Sequence, residues 1–155
     1  MNTLQVVCGV VGGFLMAVIV SGTALCADTP VIARDGDLVR YDTGIVHDTQ
    51  SGLEWMAGPD RGMTWEQACG WVLGLDAAGG GWRMPSRREL DSLHRIGDGI
   101  SNITPLLNNS GYWIWAGSTK ATSTKWVFSF SYGGEGWGGQ APPDGGRAIA
   151  VRNRR

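Results

Sequence analysis

Gly79-Gly80-Gly81-Trp82-Arg83-Met84-Pro85-Ser86-Arg87-Arg88-Glu89-Leu90-Asp91-Ser92-Leu93 is the stretch from which the fold is read. Its three glycines form a loop free to take positive φ, and Trp82 closes that loop with a large apolar anchor. Pro85 confines Met84 to extended backbone. Ser86 stands three residues before Glu89, the capping-box spacing in which each side chain bonds the other's backbone N–H. Leu90, Leu93 and Ile96 recur at helical spacing, and Gly97 is placed to end the helix. The stretch predicts a tryptophan-anchored loop feeding a capped helix of about ten residues. Trp82, Arg83, Pro85, Ser86, Glu89 and Leu90 are read as scaffold. Arg83 is expected to be partly buried and held by a carboxylate or by backbone carbonyls.

The same capping device recurs upstream. Thr64 and Gln67 have the capping-box spacing, and Trp65, Ala68, Val72 and Leu75 form an apolar stripe. Around these two helices the pattern is that of strands. Leu38–Tyr41, Ile45–Asp48 and Leu53–Met56 are short candidates separated by turn residues. Tyr112–Ala116 and Trp126–Phe130 follow; alternation puts Trp113 and Trp115 on one face. Ala148–Arg152 is apolar enough for a central strand. The expected architecture is α+β, with two short capped helices and a small, mainly antiparallel sheet carrying long glycine-rich loops.

A chain of 155 residues is one domain by length. At 43% hydrophobic and 17% charged it can bury a core, and a net charge of −1 argues against nucleic acid as a partner. Residues 1–27 read as an export signal: Val6–Val20 is an apolar run, followed by the small residues Ser21, Gly22, Thr23 and Ala24. An uncleaved anchor is the alternative, and would be the chain's one link to a membrane. Residues 28–39 read as a polar lead-in, and 40–155 as the folded domain. Export places that domain in the periplasm or outside the cell.

The chemistry-bearing residues are few. His47 and His94 have no ligand-type neighbour at metal spacing. No nucleophile-elbow pattern is present. Cys69 stands alone in the folded part and reads as a small hydrophobe. We therefore expect no enzyme, no metal and no cofactor. Gln140-Ala141-Pro142-Pro143-Asp144 is a weak match to a calcium-lectin loop. Lys120, Lys125 and Arg147, like the basic end Arg152–Arg155, read as solvated surface.

The segment Ser131–Gly146 is about sixteen residues, too long for a simple hairpin turn, and loops of this length in a compact domain are usually functional or disordered. Trp137 lies in it between Glu135 and Gln140, with Tyr132 nearby. An exposed ring flanked by polar groups is what a sugar requires, so Trp137, Tyr132, Glu135 and Gln140 are the candidate ligand-binding residues; the alternative for Trp137 is a ring that pins the loop onto the core.

Taken in order, these motifs resemble a known family. Thr49-x-Ser51-Gly52-Leu53-x-Trp55, Thr64-Trp65-x-x-Ala68 and Gly81-Trp82-Arg83-Met84-Pro85-x-x-x-Glu89-Leu90 come first. Tyr112-Trp113-x-Trp115-x-x-Ser118, Trp126-x-Phe128-x-Phe130 and Ala148-x-Ala150-Val151-Arg152 complete the set. The pattern is similar to the Lcl C-terminal domain family, long catalogued as a bacterial domain of unknown function and named after a Legionella collagen-like adhesin. The resemblance covers about residues 40–155. It implies a C-type-lectin-like fold with its terminal strands paired, and an exported, non-catalytic binding or adhesion module. The implied partner is a polysaccharide or another surface polymer; the alternative is a structural domain whose loops contact a surface protein. Many members carry a cysteine after the Leu-x-Trp strand and another on the first helix; Cys69 fits the second, and Met56–Asp60 offers no partner. Oligomeric state is not legible from the sequence.

Overall fold

The computed structural model describes residues 29–97, 102–117, 125–137 and 145–154, with backbone alone at 135–137. Strands β1 (Val31–Asp35), β2 (Leu38–Tyr41), β3 (Val46–Asp48) and β4 (Leu53–Ala57) run as an antiparallel meander. Helices α1 (Trp65–Leu73) and α2 (Arg87–Ser92) follow. Strands β5 (Trp113–Ala116), β6 (Trp126–Ser129) and β7 (Gly134–Trp137) make a second antiparallel sheet. The last strand, β8 (Ile149–Asn153), returns to pair with β4, closing a five-stranded sheet in the order β1-β2-β3-β4-β8. The α+β reading holds, with two small sheets in place of one.

Both capping boxes form. The Thr64 hydroxyl accepts from the Gln67 N–H and Gln67 returns the bond to the Thr64 N–H. Ser86 and Glu89 do the same for α2. Helix α2 is shorter than its apolar spacing predicts. It stops at Leu93 because the chain is drawn into pairing with residues 102–103: His94 bridges Ile103, and the Arg95 N–H reaches the Asn102 carbonyl. Ile96, expected on the apolar stripe, is therefore exposed.

The principal core lies between the sheets. Leu38, Val46, Trp55, Ile149 and Val151 from the five-stranded sheet cluster with Ile114, Trp126, Phe128 and Phe130 from the other side, together with Leu90 of α2 and Leu93 just after it. The opposite face of the five-stranded sheet is covered by α1 and Trp82, through Ile45, Val72 and Ala150. Strand β8 thus has both faces buried although it is last in the sheet order. Its free edge is also closed, since Arg83 and Val151 exchange backbone N–H···O=C bonds of 2.9 and 3.0 Å. That double burial is why its sequence reads as a central strand.

Three expectations are corrected. Residues 31–35, inside the presumed lead-in, form β1, and Leu38 and Val39 are buried, so the folded part begins before residue 40. Val31 and Ile32 are both exposed and a bulge interrupts their register, which removes the alternation that would have marked the strand. Residues 134–137, read as loop, form β7; Gly-Glu-Gly-Trp lacks strand propensity and gains its order from pairing with β6. The terminal strands β1 and β8 lie at opposite edges of one sheet and are not paired with each other. Among the described residues no helix is long and apolar enough to cross a membrane.

Glu89 has two tasks. Besides capping α2, it receives both terminal nitrogens of the Arg83 guanidinium, which ties the extended strand-like segment before Pro85 to the helix after it. Arg83 is held by a carboxylate as expected, but its side chain is about half exposed (48%), so the pair is screened. The Arg83 hydrogen bond, joined by the bonds from Ser86, lowers the Glu89 carboxyl from 4.5 to about 2. A carboxyl depressed on folding stabilises fully above its ordinary value and loses that contribution as pH falls through its folded one. The melting temperature should therefore drop between about pH 4.5 and pH 2, by an amount worth about 1–2 kcal/mol after screening. Thermal melts of Glu89→Gln should be flatter across this window; an equal acid slope in both proteins would exclude Glu89 as the cause.

Candidate functional site

The four candidate binding residues fall differently in the structure. Glu135 and Trp137 lie in β7, at the register positions opposite Phe128 and Trp126, and Gln140 lies outside the described residues. Tyr132 is on the tight turn between β6 and β7 and is 61% exposed. Its ring rests edge-on against Trp113 at a centroid distance of 5.9 Å. It also lies over Gly134, where an added Cβ would meet the ring at 3.2 Å. Tyr112, next in the chain to Trp113, is 46% exposed.

This turn is fixed from beneath. The Asn102 side-chain amide donates to the Phe130 and Ser131 carbonyls at 3.0 and 3.3 Å. The His94 ring fills the space beside Gly133, so close that a Cβ there would stand 2.5 Å from it. The Ser129 and Ser131 hydroxyls are bonded at 2.9 Å. Tyr132 is thus an exposed aromatic ring on an anchored hairpin, a geometry suited to contact with an apolar face of a ligand. The support of Tyr132 by Trp113 comes from strand pairing.

The scaffold motif is organised by a residue the sequence reading set aside. Arg152 is 5% exposed, not part of a solvated basic end. Its Nε and Nη2 meet Glu54 Oε2 at 2.8 and 2.7 Å, across 98 residues of chain. Its Nη1 donates to the carbonyls of Ala77, Ala78 and Gly80 at 3.2, 3.0 and 2.7 Å. The guanidinium stacks on the Trp82 ring at 4.4 Å, while the Trp82 indole N–H donates to the Ala77 carbonyl at 2.9 Å. Ala78, Gly79, Gly80 and Gly81 all take positive φ, and within this run the carbonyls of Ala78 and Gly80 accept from the cation. The glycine run is the cradle of a buried arginine.

The remaining charged candidates have structural partners. Lys125 pairs with Glu66 and Arg147 with Asp60. The Ser110 hydroxyl and N–H, followed by Arg147, hold the Asp60 carboxyl below its ordinary range. Lys120 and the Gln140–Asp144 segment lie outside the described residues. Cys69 is half-buried on α1; burial, then the neighbouring Glu66, pushes its thiol up and makes the thiolate scarce. Among the described residues no group of three His, Cys, Asp or Glu side chains is placed to hold a metal ion.

Residues 44–152 match the model of the Lcl C-terminal domain. The chain belongs to that family. The Lcl C-terminal domain is a bacterial, adhesin-associated domain and not a known enzyme family. Its match takes in the Arg152 cradle, both capped helices and the Tyr132 hairpin; β1 and β2 precede it. No curated protein and no solved structure matches the chain.

Proposed function

We propose that this chain is an exported, non-catalytic binding module of C-type-lectin-like fold that recognises a carbohydrate or another surface polymer. Tyr132, Trp137, Glu135 and Gln140 form or border the binding surface. The observation that carries this reading is the Tyr132 ring, exposed and braced by Trp113 on an anchored turn. Sugars stack a C–H face on such rings while neighbouring polar groups take the hydroxyls. The lectin-like fold is supported by the arrangement within residues 44–152, where the opening hairpin β3–β4 carries the closing strand β8. On this view β1 and β2 are an addition at the outer edge. Export rests on the apolar run of residues 6–20 and on the adhesin-associated family.

The test is a polysaccharide array probed with the protein. Tyr132→Ala and Trp137→Ala should each weaken binding by about 1–3 kcal/mol, the range for an aromatic hot spot, with little change in melting temperature. Unchanged affinity in both variants would remove the hairpin from the site. For export, residues 1–35 fused to a reporter active only outside the cytoplasm should give signal; silence would refute it.

A further inference from the structure

A cleft of about 540 Å³ opens on the Arg152 side of the five-stranded sheet, away from the Tyr132 hairpin in composition: the two share no residue. The volume is in the range of small-molecule sites, about 300–1,000 Å³. The ion pair Glu54–Arg152 contributes to its lining, and both residues are more than nine-tenths buried. Val31 and Ile45 supply apolar wall; Tyr41, Thr43 and Thr29 supply a phenol ring and two hydroxyls.

The hydrogen-bonding of Glu54 is incomplete. Oε2 takes both hydrogen-bond contacts from Arg152, whereas Arg154 Nε stands 3.9 Å from Oε1, beyond hydrogen-bond reach. Oε1 accepts no hydrogen bond from the described residues and stays accessible to solvent, so it is an acceptor suited to a ligand's hydroxyl. The charge is also unbalanced. One carboxylate faces two guanidiniums, and Arg154, 54% exposed, is the one left to pair with something from solvent. A single excess positive charge matches a monoanion; an ammonium would be repelled by both arginines. Guanidinium binds carboxylate in a bidentate fork, and the half-buried Tyr41 ring offers a face for ring C–H groups.

We infer that this cleft binds a monosaccharide-sized sugar acid, its carboxylate on Arg154, a hydroxyl on Glu54 Oε1 and its ring against Tyr41. Thr29, Val31, Tyr41, Thr43 and Arg154 all lie outside residues 44–152, so more than half of the lining is added to the family segment by this chain. The site does not rest on the Tyr132 reading.

Titration of the full chain with D-glucuronate, D-glucose and D-glucosamine, followed by NMR or calorimetry, tests it. Glucuronate should bind saturably with a Kd of roughly millimolar order, glucose about tenfold more weakly, and glucosamine not at all. Arg154→Gln should weaken glucuronate about tenfold without moving the melting temperature or the array profile. Tyr41→Ala should weaken glucuronate and glucose alike. The inference falls if glucuronate shows no saturation up to about 50 mM, if glucose binds as tightly, or if neither variant changes the affinity.

Discussion

Arg152→Ala should be the most damaging single substitution in the chain, costing about 3–5 kcal/mol, the range for breaking a buried ion pair by removing one partner. The loss has three sources. Glu54, 8% exposed, is left as a buried charge without its partner. The carbonyls of Ala77, Ala78 and Gly80 lose a common donor. Trp82 loses the cation stacked on its ring. Without the guanidinium nothing among these contacts repays the positive φ of Ala78, which costs a non-glycine residue about 1–2 kcal/mol. Urea or thermal unfolding gives the measurement. Because much of the cost is the stranded carboxylate, Glu54→Gln added to Arg152→Ala should recover part of it. A loss below about 1 kcal/mol would reduce the pair to a surface bridge.

Trp115→Ala should cost nearly as much, about 3–5 kcal/mol, as large-to-small changes at buried aromatics do. Trp115 is 2% exposed and packs with Met63, Ala68, Val127 and Ala148 beneath α1. Its indole N–H donates to the Met63 carbonyl at 2.8 Å, so the variant also leaves a buried acceptor unpaired. Gly146 lies against this indole; an added Cβ would stand 2.2 Å from its nitrogen. Gly146→Ala alone should therefore cost about 1–3 kcal/mol by overpacking. In the Trp115→Ala background, where the ring is gone, the same change should cost almost nothing. Equal costs in both backgrounds would show that the strain at Gly146 does not come from the indole.

These two positions also show where reading the chain stops. Determined by the sequence itself are the features written within one or two turns of chain. Thr64 with Gln67 and Ser86 with Glu89 announce their capping boxes, because the reciprocal bonds span three residues. The aromatic and β-branched runs announce β5, β6 and β8, and Trp82 its role as an anchor, because burial selects such side chains. The glycine-rich, polar neighbourhood of Tyr132 marks an exposed turn, which is a local property as well.

What only the tertiary structure decided depends on partners distant in sequence. Arg152 looks like part of a charged tail until Glu54, 98 residues away, meets it. Strands β1 and β7 carry too little apolar alternation to declare themselves, and each is ordered by a neighbour's hydrogen bonds. Helix α2 is cut short by a pairing with Ile103 that its own apolar spacing does not register. The cleft is assembled from five separate stretches of chain, and no one stretch carries its signature. Local patterns encode which side chains want burial and which backbone groups are capped nearby; which charge meets which carboxylate is settled when strands distant in sequence pair, as β8 does with β4.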